Sequence, residues 1–144
     1  MSIWKQAIDL AAINRSCENT AAQSLGIRFT DIGDDYVSAS MPVDGRTRQP
    51  FGLLHGGASV LLAETLGSLA ANLCLDPNGE VAVGLDINAN HLRAAHDGEV
   101  VGTARPVHRG RTTQVWEIRI VNGKGELVCI SRLTVAVVPR RAVA

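Results

Sequence analysis

The feature that most limits the possible folds is one long helical segment in a chain that otherwise has strand patterns. Residues 55–74 are the only helical candidate of this length, with Gly56 and Gly57 at the start and Pro77-Asn78-Gly79 beyond the end. Elsewhere most of the chain alternates between apolar and polar residues or runs in β-branched residues, as strands do. The chain is therefore predicted to fold as a sheet with one long helix.

Strand patterns occur in six segments, and most of the connections between them are too short to hold a crossover helix, which favours antiparallel pairing. The segments span residues 25–33, 36–43, 81–92, 98–108, 112–122 and 126–138. The helical segment is rich in Gly and Ala, which allow a curved sheet to approach it closely. The predicted fold is therefore α+β: an antiparallel sheet of about six strands wrapped around a central helix, the hotdog architecture.

The remaining segments complete one predicted domain over residues 1–144. A short N-terminal helix is expected within residues 5–16, an irregular loop within 42–52, and a frayed tail over 139–144. A chain of 144 residues is long enough to bury one core.

Composition and charge exclude several classes of partner. Fourteen basic and fourteen acidic residues cancel, so no basic excess predicts a nucleic-acid or membrane-surface partner. Cys17, Cys74 and Cys129 are widely spaced and form no CxxC pair, which predicts reduced thiols and neither a zinc site nor a disulfide. No apolar stretch has the length of a signal peptide or a membrane span, so a cytoplasmic location is expected.

A single carboxylate interrupts the apolar helix. Glu64 is the only charged residue between Arg48 and Asp76, and no cation lies three or four positions away to pair with it. Its neighbours on the same helical face are Val60, Leu61, Gly67, Ser68 and Ala71. The ordinary alternative is a carboxylate that points to water at the edge of the helix. The apolar surroundings favour instead a carboxylate that acts as a general base or a nucleophile.

The start of the same helix offers hydrogen-bond donors. His55-Gly56-Gly57 opens it, where backbone N–H groups lack helical partners and the dipole is positive. These donors could form an oxyanion hole for an acyl carbonyl, although an ordinary glycine start capped by His55 is the alternative. Gly56 and Glu64 are ~12 Å apart along the helix, so one chain cannot present both to one carbonyl. We therefore predict a homodimer with composite active sites.

Four segments carry a resemblance to a known family. They read MPVDGRTRQPFG, QPFGLLHGGASVLLAETLGSLA, GLDINANHLRAA and VHRGRTTQVWEI. They resemble the hotdog-fold acyl-CoA thioesterases of the PaaI type, in particular the group that contains the 1,4-dihydroxy-2-naphthoyl-CoA and enterobactin proofreading thioesterases. The resemblance covers most of residues 1–138.

The resemblance implies hydrolysis of an aryl-CoA or medium-chain acyl-CoA to a free acid and CoA, with no cofactor or metal ion. It places the catalytic glutamate on Glu64 and the amide that polarises the carbonyl on Gly56, assisted by His55 and Gln49. Ser68 would hold the attacking water or the carboxylate. The implied substrate contacts are Gly84, His91, Leu92, Arg93, Ala94, His108, Arg109, Gly110, Arg111, Thr112 and Thr113. A dimer of dimers is also implied by the family alone.

Other interpretations remain open at this point. Arg109 and Arg111 are suited to CoA phosphates, but a hairpin with two arginines can equally be a solvated turn. His91 could be an ordinary histidine at a strand end. A hotdog hydratase or dehydratase is disfavoured because the HFPxxP segment is absent. A non-catalytic acyl-CoA-binding module would have no need of Glu64, Gln49 and Ser68.

Overall fold

The computed structural model describes residues 1–143 and contains one long helix, two short ones and six strands. In chain order the elements are α1 (Leu10–Ser16), α2 (Ala21–Ser24), β1 (Arg28–Ile32), β2 (Val37–Pro42), α3 (Gly56–Leu73), β3 (Glu80–His91), β4 (Glu99–Arg109), β5 (Thr113–Val121) and β6 (Leu127–Pro139). The bounds of α3 and of the last four strands lie within two residues of those predicted from the sequence pattern.

The six strands form one sheet in the order β1-β2-β4-β5-β6-β3, and every neighbouring pair is antiparallel. The strand β3 joins the sheet at its far edge, where it pairs only with β6 among the described residues. The sheet packs around α3, which contacts five of the strands, β2 to β6. The predicted hotdog architecture is confirmed.

Small residues let the sheet approach α3, as the sequence predicted. A Cβ atom added to Gly67 would lie 2.6 Å from Cδ2 of Leu133 on β6, and one added to Gly102 on β4 would lie 2.7 Å from Cδ1 of Leu66. Leu62 and Leu66 have no exposed surface. Burial of each such side chain contributes roughly 1.5–3 kcal/mol to folding. These contacts set the packing distance between α3 and the sheet.

The N-terminal prediction was too long. The helix α1 begins at Leu10, because the carboxylate of Asp9 caps it by accepting a hydrogen bond from Ala12 N–H at 3.2 Å. The preceding residues instead cover the end of α3: Lys5 N–H donates to Leu73 O at 2.8 Å, and Gln6 Nε2 donates to Asn72 O. Tertiary hydrogen bonds have replaced a local helix there.

Two other segments differ from prediction. The short helix α2 lies between the predicted N-terminal helix and the first predicted strand, where the sequence predicted no element, and its four residues are too few to produce a detectable period. The tail expected to fray forms a 3₁₀ turn over Arg140–Ala142, tied down by a hydrogen bond from Arg140 N–H to Gly79 O. Ala144 lies outside the described residues. Among residues 1–143, no helix combines the length and apolarity needed to cross a bilayer.

Candidate active site

The first turn of α3 leaves one backbone amide free. The side chain of His55 caps the helix, with Nδ1 accepting a hydrogen bond from Gly57 N–H at 2.8 Å. The amides of Ala58 and Ser59 both donate to the carbonyl oxygen of His55, at 3.0 and 3.2 Å. Within residues 1–143, Gly56 N–H donates to no acceptor. Gly56 is therefore the amide of this turn that can bind another group, and the positive helix end favours a negative one.

The capping bond also defines what His55 does at the helix start. Its Nδ1 is occupied as an acceptor, so only Nε2 is left to face another group. His55 thus contributes to the site mainly by occupying Gly57 N–H, which leaves Gly56 as the single free donor.

A cleft of about 390 Å³ lies in front of this helix end. Its walls combine a loop, the helix start, the end of β3 and one residue of β6: Gln49, Leu53, Leu54, Gly56, Ser59, His91, Leu92, Arg93, Ala94 and Val128. Six of these were predicted as site residues from the sequence. The structure therefore brings together residues that are more than forty positions apart in the chain.

Gln49 and His91 lie on either side of the free amide. The side-chain oxygen of Gln49 accepts a hydrogen bond from Phe51 N–H, which fixes the carboxamide and leaves its NH₂ group as a donor. The ring of His91 lies against the helix start, since a Cβ added to Gly56 would be 2.9 Å from its Nε2. A glycine at position 56 therefore keeps the approach to the amide open.

A second groove, of about 650 Å³, adjoins the cleft at Arg93 and Ala94, which line both. Arg93 is itself held by an ion pair, with Nη1 3.3 Å from Oε2 of Glu126. A hydrogen bond from the Asn122 side chain, and then the charge of Arg93, lower the pKa of Glu126. Sequence reasoning missed Glu126, since nothing local to it indicates a partner in the connection between β3 and β4.

Glu64 lies outside this cleft. It is half-buried on a stripe of α3 that its own sheet leaves uncovered, together with Val60, Leu61, Thr65, Ser68, Leu69 and Asn72. Its Oε1 lies beside β3, where a Cβ added to Gly84 would be 3.1 Å away. Within the described residues Glu64 makes no hydrogen bond or ion pair. Gly84 thus provides space for a carboxylate that has no partner among residues 1–143.

The predicted phosphate-binding hairpin lies at the opposite end of α3. Arg109, Gly110 and Arg111 line a small cleft of about 230 Å³ with Cys74 and Glu80, next to the end of the helix. The amide of Gly110 donates to Thr113 O at 2.8 Å, and Thr112 O accepts from Val137 N–H. His108 lies at the irregularity where β4 shifts register against β5.

In one chain the predicted residues therefore form two groups. The first, here the helix-start group, comprises Gln49, His55, Gly56 and His91–Ala94. The second, here the carboxylate group, comprises Glu64, Ser68, Gly84 and His108–Thr113. The sequence placed both groups in one site and, from the helical spacing of Gly56 and Glu64, predicted that two chains build it. Among residues 1–143 no cluster of three or more His, Cys, Asp or Glu side chains could hold a metal ion.

Two of the three cysteines are predicted to react slowly with thiol reagents. Burial raises the pKa of the Cys74 and Cys129 thiols, so at neutral pH less thiolate is present, whereas Cys17 is half-buried. We expect one thiol per chain to react rapidly under native conditions and the other two only after unfolding. Labelling with a chromogenic disulfide would measure this. A fast phase that persists in Cys17→Ser would contradict the assignment.

A six-stranded antiparallel sheet packed around one long helix defines a hotdog-fold protein. Residues 51–129 match the model of the thioesterase superfamily. The chain is 55% identical over 135 residues to the 1,4-dihydroxy-2-naphthoyl-CoA hydrolase of Escherichia coli K12, covering 94% of this chain and 98% of that protein. It is 50% identical over 135 residues to the proofreading thioesterase EntH of Cronobacter turicensis, with the same coverage.

A solved structure agrees with these matches. The crystal structure of a thioesterase from Haemophilus influenzae superposes with a TM-score of 0.93 at 50% identity and covers 95% of each chain. The chain belongs to the thioesterase superfamily, and it is a thioester hydrolase. The family predicted from the sequence motifs is confirmed.

Proposed function

We propose that the protein hydrolyses acyl-CoA thioesters, with aryl or medium-chain acyl groups, to a free carboxylic acid and CoA. The observation that carries the proposal is the unpaired Gly56 N–H, which faces a cleft of suitable size beside the carboxamide of Gln49. Apolar side chains from Leu53, Leu54 and Val128 line the same cleft and suit a hydrocarbon acyl group.

The thioester carbonyl oxygen would accept a hydrogen bond from Gly56 N–H, assisted by the Gln49 NH₂ group. Negative charge develops on this oxygen as the carbonyl carbon becomes tetrahedral, and the helix start stabilises that charge. When the tetrahedral centre collapses, the carbon–sulfur bond breaks and the electron pair leaves with the CoA sulfur. The proton removed from water then completes the CoA thiol.

Glu64 would supply the base or the nucleophile. As a base it removes a proton from a water molecule that attacks the carbonyl carbon, with Ser68 one turn further along the helix holding the water or the carboxylate. As a nucleophile it forms a mixed anhydride with the acyl group, which water then hydrolyses. Both routes consume one water and yield the same two products.

The carboxylate would come from a second copy of the chain. Glu64 is ~12 Å from Gly56 along α3, so the two cannot meet within one chain. The edge strand β3 contacts both: His91 lies beside Gly56, and Gly84 beside Glu64. If β3 pairs antiparallel with β3 of a second copy, about a twofold axis between Gly84 and His91, Gly56 of one copy approaches Glu64 of the other.

The same twofold arrangement would place the helix-start group of one copy next to the carboxylate group of the other. It brings the partner's hairpin with Arg109 and Arg111 to the His91 end of β3. These arginines, together with Arg93, would contact the CoA phosphates. The uncovered stripe of α3, which includes Val60, Leu61 and Leu69, would be buried in the same interface. A dimer of dimers and a cytoplasmic location are also proposed, on the family resemblance and on three free cysteines respectively.

Turnover with defined thioesters tests the reaction. The full chain is incubated with benzoyl-CoA and octanoyl-CoA, and the released CoA thiol is followed with a chromogenic reagent. Hydrolysis of at least one thioester, with one acid formed per thiol, is expected. If neither is hydrolysed and further aryl and alkyl thioesters are also inert, the proposed substrate class is wrong.

Mixed dimers test the composite site. A Glu64→Ala chain and a Gly56→Pro chain are each expected to form inactive dimers. When they are co-expressed with different tags in equal amounts, half of the dimers are mixed, and each mixed dimer contains one intact site and one doubly altered site. About one quarter of the wild-type activity should therefore return. A site contained within one chain would recover nothing, and co-expression of two differently tagged Glu64→Ala chains is the matched control.

A further inference from the structure

Arg93 is the only side chain with a permanent charge among those that line the cleft. Its Nη1 lies 3.3 Å from Oε2 of Glu126, and both side chains are partly exposed to solvent, at 53% and 39%. This contact leaves most of the five N–H donors of the guanidinium free. The cation of the cleft therefore already has a counter-ion in the free protein.

The Glu126 carboxylate is held in place by the hairpin between β5 and β6. Its Oε1 accepts a hydrogen bond from Asn122 Nδ2 at 3.0 Å, while Oε2 faces Arg93. Asn122 is itself fixed, because its Oδ1 accepts hydrogen bonds from the amides of Lys124 and Glu126, both at 3.0 Å. A surface carboxylate usually moves among many rotamers, and an exposed ion pair then contributes little. Here one oxygen is anchored, so the carboxylate stays beside the guanidinium.

The second groove, next to Arg93, carries a small excess of negative charge. With histidine neutral, its ionised side chains are two cations, Arg93 and Lys124, and three carboxylates, Asp97, Glu99 and Glu126. Within residues 1–143, Asp97, Glu99 and Lys124 form no ion pair. A phosphate that approaches Arg93 from this side meets net repulsion, and it must share the guanidinium with Glu126. The phosphates of CoA are therefore the part of the proposed substrate that this arrangement affects.

We infer that Glu126 is a specificity-determining residue, an internal counter-ion of Arg93 that competes with the CoA phosphates and weakens their binding. This inference rests on the proposed thioester site. Substrate and product carry the same phosphates, so Glu126 weakens the binding of acyl-CoA and of free CoA alike. Such an effect is equal in the ground state and the transition state, so it changes KM and leaves kcat unaltered. The result is a site that discriminates little between CoA and a thioester without phosphates.

The test compares wild type and Glu126→Gln on two substrates: benzoyl-CoA, and the benzoyl thioester of N-acetylcysteamine, which has the same reacting group but no phosphate. Glutamine keeps the size of the side chain and an oxygen for Asn122, and it removes the charge. We expect KM for benzoyl-CoA and the inhibition constant of free CoA to fall by about two- to fivefold, the range of an exposed ion pair, with kcat unchanged. For the phosphate-free thioester kcat/KM should stay the same. The difference between the two proteins should shrink as the salt concentration is raised.

Two variants serve as controls. Glu18→Gln removes the same charge from an exposed carboxylate that lines a different cleft, so it should leave KM unchanged. In an Arg93→Gln background, Glu126→Gln should no longer lower KM, because the guanidinium for which the carboxylate competes is absent. The inference is overturned by an unchanged or higher KM for benzoyl-CoA in Glu126→Gln, by an equal change with the phosphate-free thioester, or by an effect that persists in full without Arg93.

Calorimetry with free CoA separates this inference from the proposed reaction. If the wild type hydrolyses no thioester but CoA binds more tightly to Glu126→Gln than to wild type, the proposed reaction is wrong and the role of Glu126 stands. If the wild type hydrolyses benzoyl-CoA and the two proteins bind CoA equally, the reaction stands and the role of Glu126 is rejected.

Discussion

Replacement of Glu64 by alanine is expected to lower kcat for acyl-CoA hydrolysis by about 10³-fold and to change KM little. The carboxylate provides proton transfer or nucleophilic attack, and removal of such a group typically costs 10²- to 10⁴-fold in rate. Glu64 makes no hydrogen bond or ion pair within the described chain, so its loss leaves no internal partner unsatisfied. The variant should therefore fold and dimerise normally. Thiol release from benzoyl-CoA measures the effect.

Two variants make this experiment specific. Glu64→Gln keeps the size of the side chain and should be as inactive as the alanine variant, since a carboxamide is neither a base nor an effective nucleophile. Glu18→Ala removes an exposed carboxylate that is distant from Glu64 in the sequence, and this variant should retain full activity. If either Glu64 variant keeps activity within tenfold of the wild type, the proposed mechanism is wrong.

Replacement of Gly56 by proline is expected to lower kcat by roughly 10²- to 10³-fold, the range measured when an oxyanion donor is removed. Position 56 is the first residue of α3, where proline is well tolerated because its missing N–H has no helical acceptor. The preceding His55 has φ −68° and ψ 130°, a conformation compatible with a following proline. The substitution therefore deletes the donor and leaves the helix start in place.

The matched control is Gly56→Ala, which adds a Cβ atom but keeps the N–H. That Cβ would lie 2.9 Å from Nε2 of His91, whose ring is exposed and can move aside. We expect a loss within about tenfold for alanine, so the proline-to-alanine ratio isolates the hydrogen bond. Equal activity of the two variants would show that the carbonyl is polarised elsewhere.

The elements of the fold could be predicted because they are encoded locally. The bounds of α3 follow from glycine at its start and a turn signal after its end, and the alternation of β3 to β6 extends over nine or more residues in each strand. The start of α1 could not be predicted, because Lys5 and Gln6 bind the end of α3, a segment more than sixty positions away. The helix α2 was missed because one turn is too short to show a period.

Some residues of the candidate site could likewise be identified from the sequence, and others only from the structure. Glu64 and Gly56 stand out in the sequence because each departs from its surroundings, one as a lone charge and the other as a glycine at a helix start. Ser59 does not stand out, since a serine in a helix is ordinary. Its place in the cleft beside Gly56 and Gln49 appears only in the structure. Glu126 likewise becomes notable only through its ion pair with Arg93.

The sequence by itself determined the helix, the strands and the spacing that separates Gly56 from Glu64, because each depends on residues close together in the chain. Only the tertiary structure decided which amide of the first turn is free, since that depends on the capping bond from His55. Only the tertiary structure placed His91 beside Gly56 and Gly84 beside Glu64, because strand pairing and helix packing join distant segments. The lone carboxylate of an apolar helix thus lies on a stripe that its own sheet leaves uncovered, where a second copy of the chain can reach it.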